Sequence, residues 1–239
     1  GLYPEFAQYS GIYAGANSTI FEAMVSTGRP ADMTSFIYDP VTAIDASTSI
    51  KNNTITNCGD GIYLEEQAAA NVEKNTVAGG DTGIYLHTST DNSVFDNTLT
   101  SNTDGLYLSS SDDNSVTYNL LDMNDTGLTL DTSDNNTVQY NTVTNSTGTG
   151  IALVTTSGNT VDGNSSTGND IGVSIANSTG DTISNNNLND NTTWLLQNTT
   201  AGAVDVTNNY WGALADAAAI DALVEDDDEN GALGAITFD

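Results

Sequence analysis

Apolar residues recur along this chain in blocks of about 22 residues, and within each block they alternate with polar residues. Each block opens at a glycine. The residues one and three positions later are aliphatic, and the residue between them is mostly Tyr or small and polar. This alternation is typical of a β-strand with one buried face. Further aliphatic positions lie 11 and 16 residues after the glycine, so each block predicts three short strands. The glycines are Gly61, Gly83, Gly105, Gly127, Gly150 and Gly172.

An asparagine stands 14 residues after the start of every block. Asn tolerates the left-handed backbone of a tight turn. Identical Asn side chains stacked about 4.8 Å apart can pass amide hydrogen bonds from one to the next. We therefore predict an internal asparagine ladder that follows the axis of the repeat. Its members are Asn53, Asn75, Asn97, Asn119, Asn141, Asn164, Asn186 and Asn208.

The constant repeat predicts a coil in which each block forms one rung. Helical repeats are excluded, because the apolar positions lack the 3.6-residue period and β-branched residues and Asn are abundant. A β-sandwich does not require a constant repeat length. The pattern covers residues 39–212, with Trp194 opening the last block, and it predicts about eight coils.

Both ends of the chain break the repeat, and we predict that they cap the open edges of the coil. Residues 1–38 form the predicted N-terminal cap, in which a capping box at Thr19 to Glu22 predicts a short helix at about 19–27. Residues 213–239 form the predicted C-terminal cap. It contains an alanine-rich helix within 213–224, an acidic turn and a last strand.

The repeat also resembles a known family. The unit G-I-x-L…N-x-V-x-x-N-x-V is similar to the repeat of the pectin-lyase-like superfamily, and NNYWG at 208–212 resembles the N-N-x-W-G signature that ends such arrays in the NosD-like branch. The resemblance covers about residues 39–239. It implies an all-β fold, a single-stranded right-handed parallel β-helix (solenoid) of about eight 22-residue coils with short helical caps. It also implies a surface protein, because this branch is common on archaeal surfaces.

The formal net charge is −29, from 32 acidic residues against Arg29, Lys51 and Lys74. Disorder is excluded, because 37% of the residues are hydrophobic and regularly spaced. An acidic folded surface repels itself at low ionic strength, and molar salt screens that repulsion. The charge therefore predicts a halophilic, haloarchaeal source. It disfavours nucleic acid as a partner, and no apolar run reaches the ~20 residues that span a bilayer.

Few residues can carry the chemistry that enzymes of this superfamily use. Pectate-lyase types need a basic residue beside Ca²⁺, and polygalacturonase types need a G-H-G stretch, whereas the sole histidine here is His87 in YLHTS. Carboxylate pairs on neighbouring rungs leave a hydrolase open as an alternative. The NosD-like resemblance suggests copper as a possible ligand. Copper sites need clustered His, Met or Cys, and here one His, one Cys and three Met are scattered along the chain, so we expect no copper site.

Tyrosines are the best candidates for recognition. Tyr63, Tyr85 and Tyr107 lie between two inward positions on consecutive rungs, so they are predicted to form an outward stripe. Tyr118 and Tyr140 form a second pair at another position of the repeat. Exposed rings on a flat sheet suit the faces of sugars. The alternative is that stacked Tyr side chains only stabilise the parallel strands.

Two further groups of surface residues are candidates for ligands or modification. Ca²⁺ is the one candidate cofactor, because acidic loops on three consecutive rungs could converge; the alternative is a solvated acidic face. Four sequons fall in predicted loops and could carry glycans. Cys58 is predicted to fill a small core position. The calcium candidates are Asp91, Asp112, Asp113 and Asp134, and the glycosylation candidates are Asn135, Asn145, Asn177 and Asn198.

Together these features predict a non-catalytic extracellular structural or recognition module of a halophilic cell surface or virus particle. Its role would be adhesion or carbohydrate contact. The alternative is a polysaccharide lyase or hydrolase of the pectin-lyase-like superfamily. The expected partner is a cell-surface or glycan ligand, without nucleic acid and without membrane insertion of this segment. We also expect the segment to belong to a larger surface assembly or a longer chain.

The charge generates a direct test. We expect the thermal midpoint to be several degrees higher in molar KCl or NaCl than in dilute buffer, because salt screens repulsion among the acidic residues. Circular dichroism melts would measure it, and sucrose of equal osmolality serves as the uncharged control. Equal midpoints in dilute and molar salt would contradict the halophilic interpretation.

Overall fold

The computed structural model describes residues 10–14, 48–213, 217–226, 234 and 236–237. Three parallel sheets wind around one core and make seven stacked turns in this part of the chain. The fold-class prediction is confirmed: the described residues form a right-handed parallel β-helix with almost no α-helix. The predicted helix at 19–27 lies outside the described residues.

The large sheet has nine strands and supplies the longest strand of each rung. The other two sheets contain three-residue strands. The large sheet consists of β1 (Ser10–Ala14), β4 (Asp60–Glu65), β7 (Thr82–His87), β10 (Asp104–Ser109), β13 (Thr126–Asp131), β16 (Thr149–Val154), β19 (Ile171–Ala176), β21 (Trp194–Asn198) and β23 (Val224–Glu225). The seven-stranded sheet consists of β2 (Ser49–Lys51), β5 (Asn71–Glu73), β8 (Ser93–Phe95), β11 (Ser115–Thr117), β14 (Thr137–Gln139), β17 (Thr160–Asp162) and β20 (Thr182–Ser184). The six-stranded sheet consists of β3 (Thr54–Thr56), β6 (Thr76–Ala78), β9 (Thr98–Thr100), β12 (Leu120–Asp122), β15 (Thr142–Thr144) and β18 (Ser165–Thr167).

Aliphatic columns fill the inside of the coil. Leu106 pairs in register with Ile84 on the preceding rung and with Leu128 on the next, and all three are buried. The aliphatic residues predicted 11 and 16 positions after each glycine are buried as well, as Val116 and Leu121 illustrate. Because most inward positions repeat their chemistry from rung to rung, the core is a stack of like side chains, which the buried Ser166 interrupts in the column of Leu121 and Val143.

Each rung turns at corners that share one local design. A residue with positive φ stands at the corner, and the next residue is polar and points inward. On the rung that opens at Gly83 the corner residues are Thr88, Asp91, Asp96 and Ser101, with φ between 51 and 57°. The left-handed conformation is disfavoured for residues other than Gly, Asn and Asp. The backbone N–H groups of Thr88, Asp96 and Ser101 bond the next rung, as from Thr88 N to Ser109 O at 3.0 Å.

The asparagine ladder occupies one of these corners. Asn97 Nδ2 donates to Asn119 Oδ1 at 2.9 Å and to Val72 O at 2.9 Å. Asn97 Oδ1 accepts the backbone N–H and the side-chain amide of Asn75, both at 3.0 Å. Each amide therefore satisfies backbone groups that the corner would otherwise leave unpaired. The observed ladder is Asn53, Asn75, Asn97, Asn119, Asn141, Asn164, Asn186 and Asn209, all buried.

Asn208 was wrongly assigned to the ladder. It is an exposed corner residue with φ of 63°, and Asn209 accepts from Asn186 instead. The reason is an extra residue in the preceding coil. Ile171 pairs with Trp194 and Val173 with Leu196, so Leu195, not Trp194, stands opposite Gly172.

Three more corner columns escaped the sequence prediction. One is an amide ladder of Asn92, Asn114, Asn136 and Asn159, which ends where Asp181 Oδ1 accepts both the N–H and the amide of Asn159. Another contains Asn102, Asn124, Asn169 and Asn191, interrupted by Ser146. The third is built of hydroxyls, in which Ser111 Oγ accepts from Ser89 N at 3.0 Å.

The two ends differ in how they close the coil. β1, from the predicted N-terminal cap, adds a parallel strand to the large sheet beside β4. At the other end a helix, α1 (Ala217–Asp221), precedes β23, which pairs with β21. The strand β22 (Val204–Asp205) pairs with β24 (Ile236–Thr237). Within the described residues no helix combines the length and the apolarity that a bilayer crossing requires.

The glycine that opens each rung generates a stability prediction. A Cβ on Gly105 would lie 2.5 Å from Gly127 O on the next rung. We expect Gly105→Ala to lower the free energy of unfolding by about 1–3 kcal/mol, measured by urea titration. Gly202→Ala is the matched control, because a Cβ there meets nothing within 4 Å. Equal losses in the two variants would contradict this steric explanation.

The ladder generates a second stability prediction. Asn119→Ala removes the acceptor of Asn97 N and a donor to Val94 O, bonds of 3.0 and 2.9 Å. We expect a loss of about 1–3 kcal/mol in the free energy of unfolding, because buried polar groups are left unpaired. Thr142→Ala, exposed on the neighbouring rung, should change it by less than about 0.5 kcal/mol. A negligible loss for Asn119→Ala would show that water replaces the missing amide.

Candidate functional site

The outer side of the large sheet carries a row of tyrosines at its N-terminal end. Tyr63, Tyr85 and Tyr107 are paired in register on three consecutive strands. Their ring centroids are 5.0 and 5.1 Å apart, with interplanar angles of 55 and 52°. The rings are half-buried. In the same register Tyr13 stands beside Tyr63, while Thr129 follows Tyr107, so the aromatic part of this row ends at β10.

Acidic and polar residues border this row on both sides. Asp60 and Asp104 are half-buried at the first position of β4 and β10. Two residues after the tyrosines stand Glu65, His87 and Ser109, and the register continues this second border to Asp131 on the next rung. The Tyr107 hydroxyl donates to Asp131 Oδ2 at 2.8 Å. We name this surface the tyrosine face; it consists of Asp60, Tyr63, Glu65, Tyr85, His87, Asp104, Tyr107 and Asp131.

The electrostatics of the tyrosine face follow from burial and from these carboxylates. Burial, then the charge of Glu65 and the neighbouring Tyr85, raises the pKa of Tyr63 to about 12. Burial raises the pKa of Tyr107 further, and its hydrogen bond to Asp131 acts in the same direction. Burial also raises the pKa of the Asp104 carboxyl, as does the charge of Asp125. The phenols therefore stay neutral around pH 7 and cannot act as tyrosinate bases.

His87 lies within the face rather than in open solvent. Its ring centroid is 5.9 Å from that of Tyr85, and the side chain is half-buried. Its Nδ1 is buried without a hydrogen-bond partner in the described part of the chain. Both observations place the only histidine of the sequence against the tyrosine row.

Tyr118 and Tyr140 form a separate pair and do not extend the tyrosine face. They follow β11 and β14 of the seven-stranded sheet and occupy corner positions, each with φ of 56°. Their centroids are 5.2 Å apart with an interplanar angle of 24°, and they are 62% and 49% exposed. The five predicted tyrosines therefore fall into two sites.

The structure does not gather the predicted calcium ligands into a site. Asp112 Oδ1 accepts the backbone N–H of Asp134 at 2.8 Å, and Asp134 Oδ1 accepts that of Ser157 at 2.7 Å. Asp91 and Asp113 are exposed corner residues. No three His, Cys, Asp or Glu side chains lie close enough to hold a metal ion anywhere in the described ranges. Asp112 and Asp134 therefore serve the backbone of the next rung.

The glycosylation candidates divide into accessible and inaccessible residues. Asn135, Asn145 and Asn177 are exposed, although the Asn145 amide donates to Asp122 Oδ1 at 2.7 Å. Asn198 was wrongly placed in a loop. It ends β21, it is 0% exposed, and its amide donates to Gly234 O at 2.7 Å. Its side chain ties the C-terminal residues to the large sheet, so it cannot carry a glycan in the folded state.

The three parallel sheets of stacked rungs define a right-handed parallel β-helix. The sequence profile of the family "Periplasmic copper-binding protein (NosD)" matches residues 25–218, and the chain belongs to this family. A comparison with curated proteins finds no match.

Among solved structures, the periplasmic alginate epimerase AlgG is similar, with 20% identity and a TM-score of 0.61 over 80% of this chain. A double mutant of that enzyme gives 20% identity and a TM-score of 0.60, again over 80% of this chain. In both cases the match covers 50% of the length of the epimerase. At this identity the likeness establishes the fold.

The described residues do not fit the copper ion in the family's name. Copper prefers clustered His, Cys or Met ligands. Cys58 is half-buried, packs against the core and lies 3.7 Å from Thr56 O, whereas Met123 is exposed on another rung. His87 has an aromatic ring as its neighbour. Among the described residues, no three His, Cys, Asp or Glu side chains lie close enough together to hold a metal ion. We therefore derive no copper chemistry for this segment.

Proposed function

We propose that this chain is a non-catalytic recognition module that contacts carbohydrate through the tyrosine face. The observation that supports it most is the row of Tyr63, Tyr85 and Tyr107, with rings 5.0 and 5.1 Å apart along the coil axis. A polymer of sugar rings can meet such a row one ring after another. Aromatic rings provide large contact area at little cost in conformational entropy.

The scaffold favours binding because it holds the rings before a ligand arrives. The tyrosines are fixed in register by parallel strands, and the Tyr107 hydroxyl is anchored on Asp131. The corners behind the strands are held by buried amide ladders. Preorganisation of this kind improves affinity because less freedom is lost on binding.

We also propose that the module is exported and belongs to the surface of a halophilic cell or virus particle, as part of a larger assembly. The NosD family and AlgG both carry the word periplasmic in their names. The net charge of −29 is the feature that favours a saline environment. The exposed sequons Asn135, Asn145 and Asn177 are compatible with export, and we propose them as glycan acceptors.

A polysaccharide lyase or hydrolase is the second candidate. The observation that favours it is the presence of two half-buried carboxyls, Asp60 and Asp104. Burial is the largest cause that raises the pKa of each, so these carboxyls are candidates for acid catalysis. Against it stands the position of the lysines: Lys51 and Lys74 lie on the seven-stranded sheet and its corner, so His87 is the basic side chain on this face. Product analysis for new reducing ends or unsaturated sugars separates the two functions.

The binding function is tested with Tyr85→Ala. The probes are hexasaccharides of glucose, xylose, mannose and glucosamine, measured by isothermal titration calorimetry. We expect about a tenfold loss of affinity for the sugar that the unmodified chain binds best, because the central ring of the row is removed. Tyr118→Ala is the matched control on the other site and should retain affinity. Loss in Tyr118→Ala alone would contradict the assignment and place binding at the corner pair.

A further inference from the structure

Four carboxylates border the tyrosine face, and we propose that it selects positively charged sugar polymers, built of amino sugars such as glucosamine, over neutral and acidic ones. This inference rests on the proposed carbohydrate function and adds the charge of the ligand to it.

The first observation is the placement of the carboxylates. Asp60 and Asp104 stand at one border of the row, two rungs apart in the register of the large sheet. Glu65 and Asp131 stand at the other border, three rungs apart. An extended ligand that follows the three rings therefore meets two carboxylates at the Tyr63 rung, one at the Tyr107 rung and one on the rung beyond it, with Thr82 and His87 beside Tyr85.

The same carboxylates contribute to the raised pKa values of Tyr63 and Tyr85. After burial, the largest cause that raises the pKa of Tyr63 is the charge of Glu65, and Asp60 contributes as well. For Tyr85, burial raises the pKa, a hydrogen bond with Ser109 lowers it, and the charges of Asp60 and Asp131 raise it. The carboxylates thus act at the ring row itself and not only at its rim.

Neither lysine of the described residues lies on the face, and the basic side chain that it contains is His87. Lys51 ends β2 and Lys74 follows β5, both on the seven-stranded sheet, and Lys74 Nζ lies 3.9 Å from a Glu73 carboxylate oxygen. A uronic acid polymer would bring its carboxylates to a surface on which Asp60, Glu65, Asp104 and Asp131 outnumber this one histidine. Alginate, the polymer in the name of the structurally similar epimerase, is such a polyanion.

Aromatic rings bordered by carboxylates are the chemistry that binds ammonium groups. A cation is attracted by the face of a Tyr ring and by the neighbouring negative charge. A polymer of glucosamine offers one ammonium per sugar ring, together with the apolar ring face that stacks on Tyr. Its N-acetylated counterpart keeps the sugar ring and loses the charge, which makes it the informative comparison.

The experiment compares three hexasaccharides by calorimetry in mildly acidic buffer that protonates the amines. These are the hexamers of glucosamine, of N-acetylglucosamine and of mannuronate. We expect the glucosamine hexamer to bind about tenfold more tightly than the acetylated one, and the mannuronate hexamer to give no measurable heat. Molar salt should reduce the preference for glucosamine, because it screens the carboxylates.

Variants locate the preference on the face. Asp104→Asn should weaken binding of the glucosamine hexamer about threefold or more and leave the acetylated hexamer unchanged. Asp96→Asn is the matched control: it removes the same charge from an exposed corner, where φ of 56° suits Asn. Equal weakening in both variants would overturn the inference, because net charge rather than the tyrosine face would then select the ligand.

The outcomes separate this inference from the function on which it rests. Equal affinity for the charged and acetylated hexamers, with loss of both in Tyr85→Ala, overturns the charge preference and leaves carbohydrate binding standing. Absence of binding by all three hexamers overturns the charge preference, and absence of binding by the glucose, xylose and mannose hexamers as well overturns the carbohydrate function itself. Tighter binding of mannuronate than of glucosamine overturns the assigned sign of the ligand charge.

Discussion

The structure depends on how the chain satisfies backbone groups at its corners. A coil that turns sharply on every rung leaves N–H and C=O groups without strand partners, and burying them unpaired is costly. Here a left-handed corner residue is followed by an inward amide or hydroxyl that bonds the next rung, as Asn97 does with Asn119. Since every corner uses the rung above, the same bonds that close a turn also set the register between turns. That register also aligns the tyrosine face, because the strands between these corners place Tyr63, Tyr85 and Tyr107 side by side.

The sequence predicted most of the fold, because each rung repeats the same inward chemistry. Aliphatic spacing identified the three strands, and the asparagine at one position identified one ladder. The missed columns contain mixtures of residues, such as Ser146 among asparagines, which hide the repeat. The shift from Asn208 to Asn209 had a different cause. Two adjacent asparagines fit the pattern equally well, and only the pairing of Val173 with Leu196 reveals the extra residue.

The position of the candidate site was predictable from the sequence, but the contacts of its side chains were not. Alternation placed the three tyrosines outside the sheet, yet it could not show that Tyr107 is anchored on Asp131 or that His87 packs against Tyr85. The calcium candidates failed because a loop carboxylate can serve a backbone N–H as readily as a cation, which Asp112 does. The prediction of a glycan on Asn198 was wrong because a strand end that C-terminal residues bury has the same sequence pattern as a loop.

The ladder that ends at Asp181 has a consequence for the length of the protein. An amide both accepts and donates, so it can be copied onto any number of rungs, whereas a carboxylate only accepts. Asn159 gives its N–H and its amide to Asp181, and the relay at that corner has no onward donor. Duplication of a block upstream of this aspartate would lengthen the coil without disturbing any bond pattern. The amide relay at this corner therefore ends on the rung of Asp181, whereas the ladder at the neighbouring corner continues to Asn209.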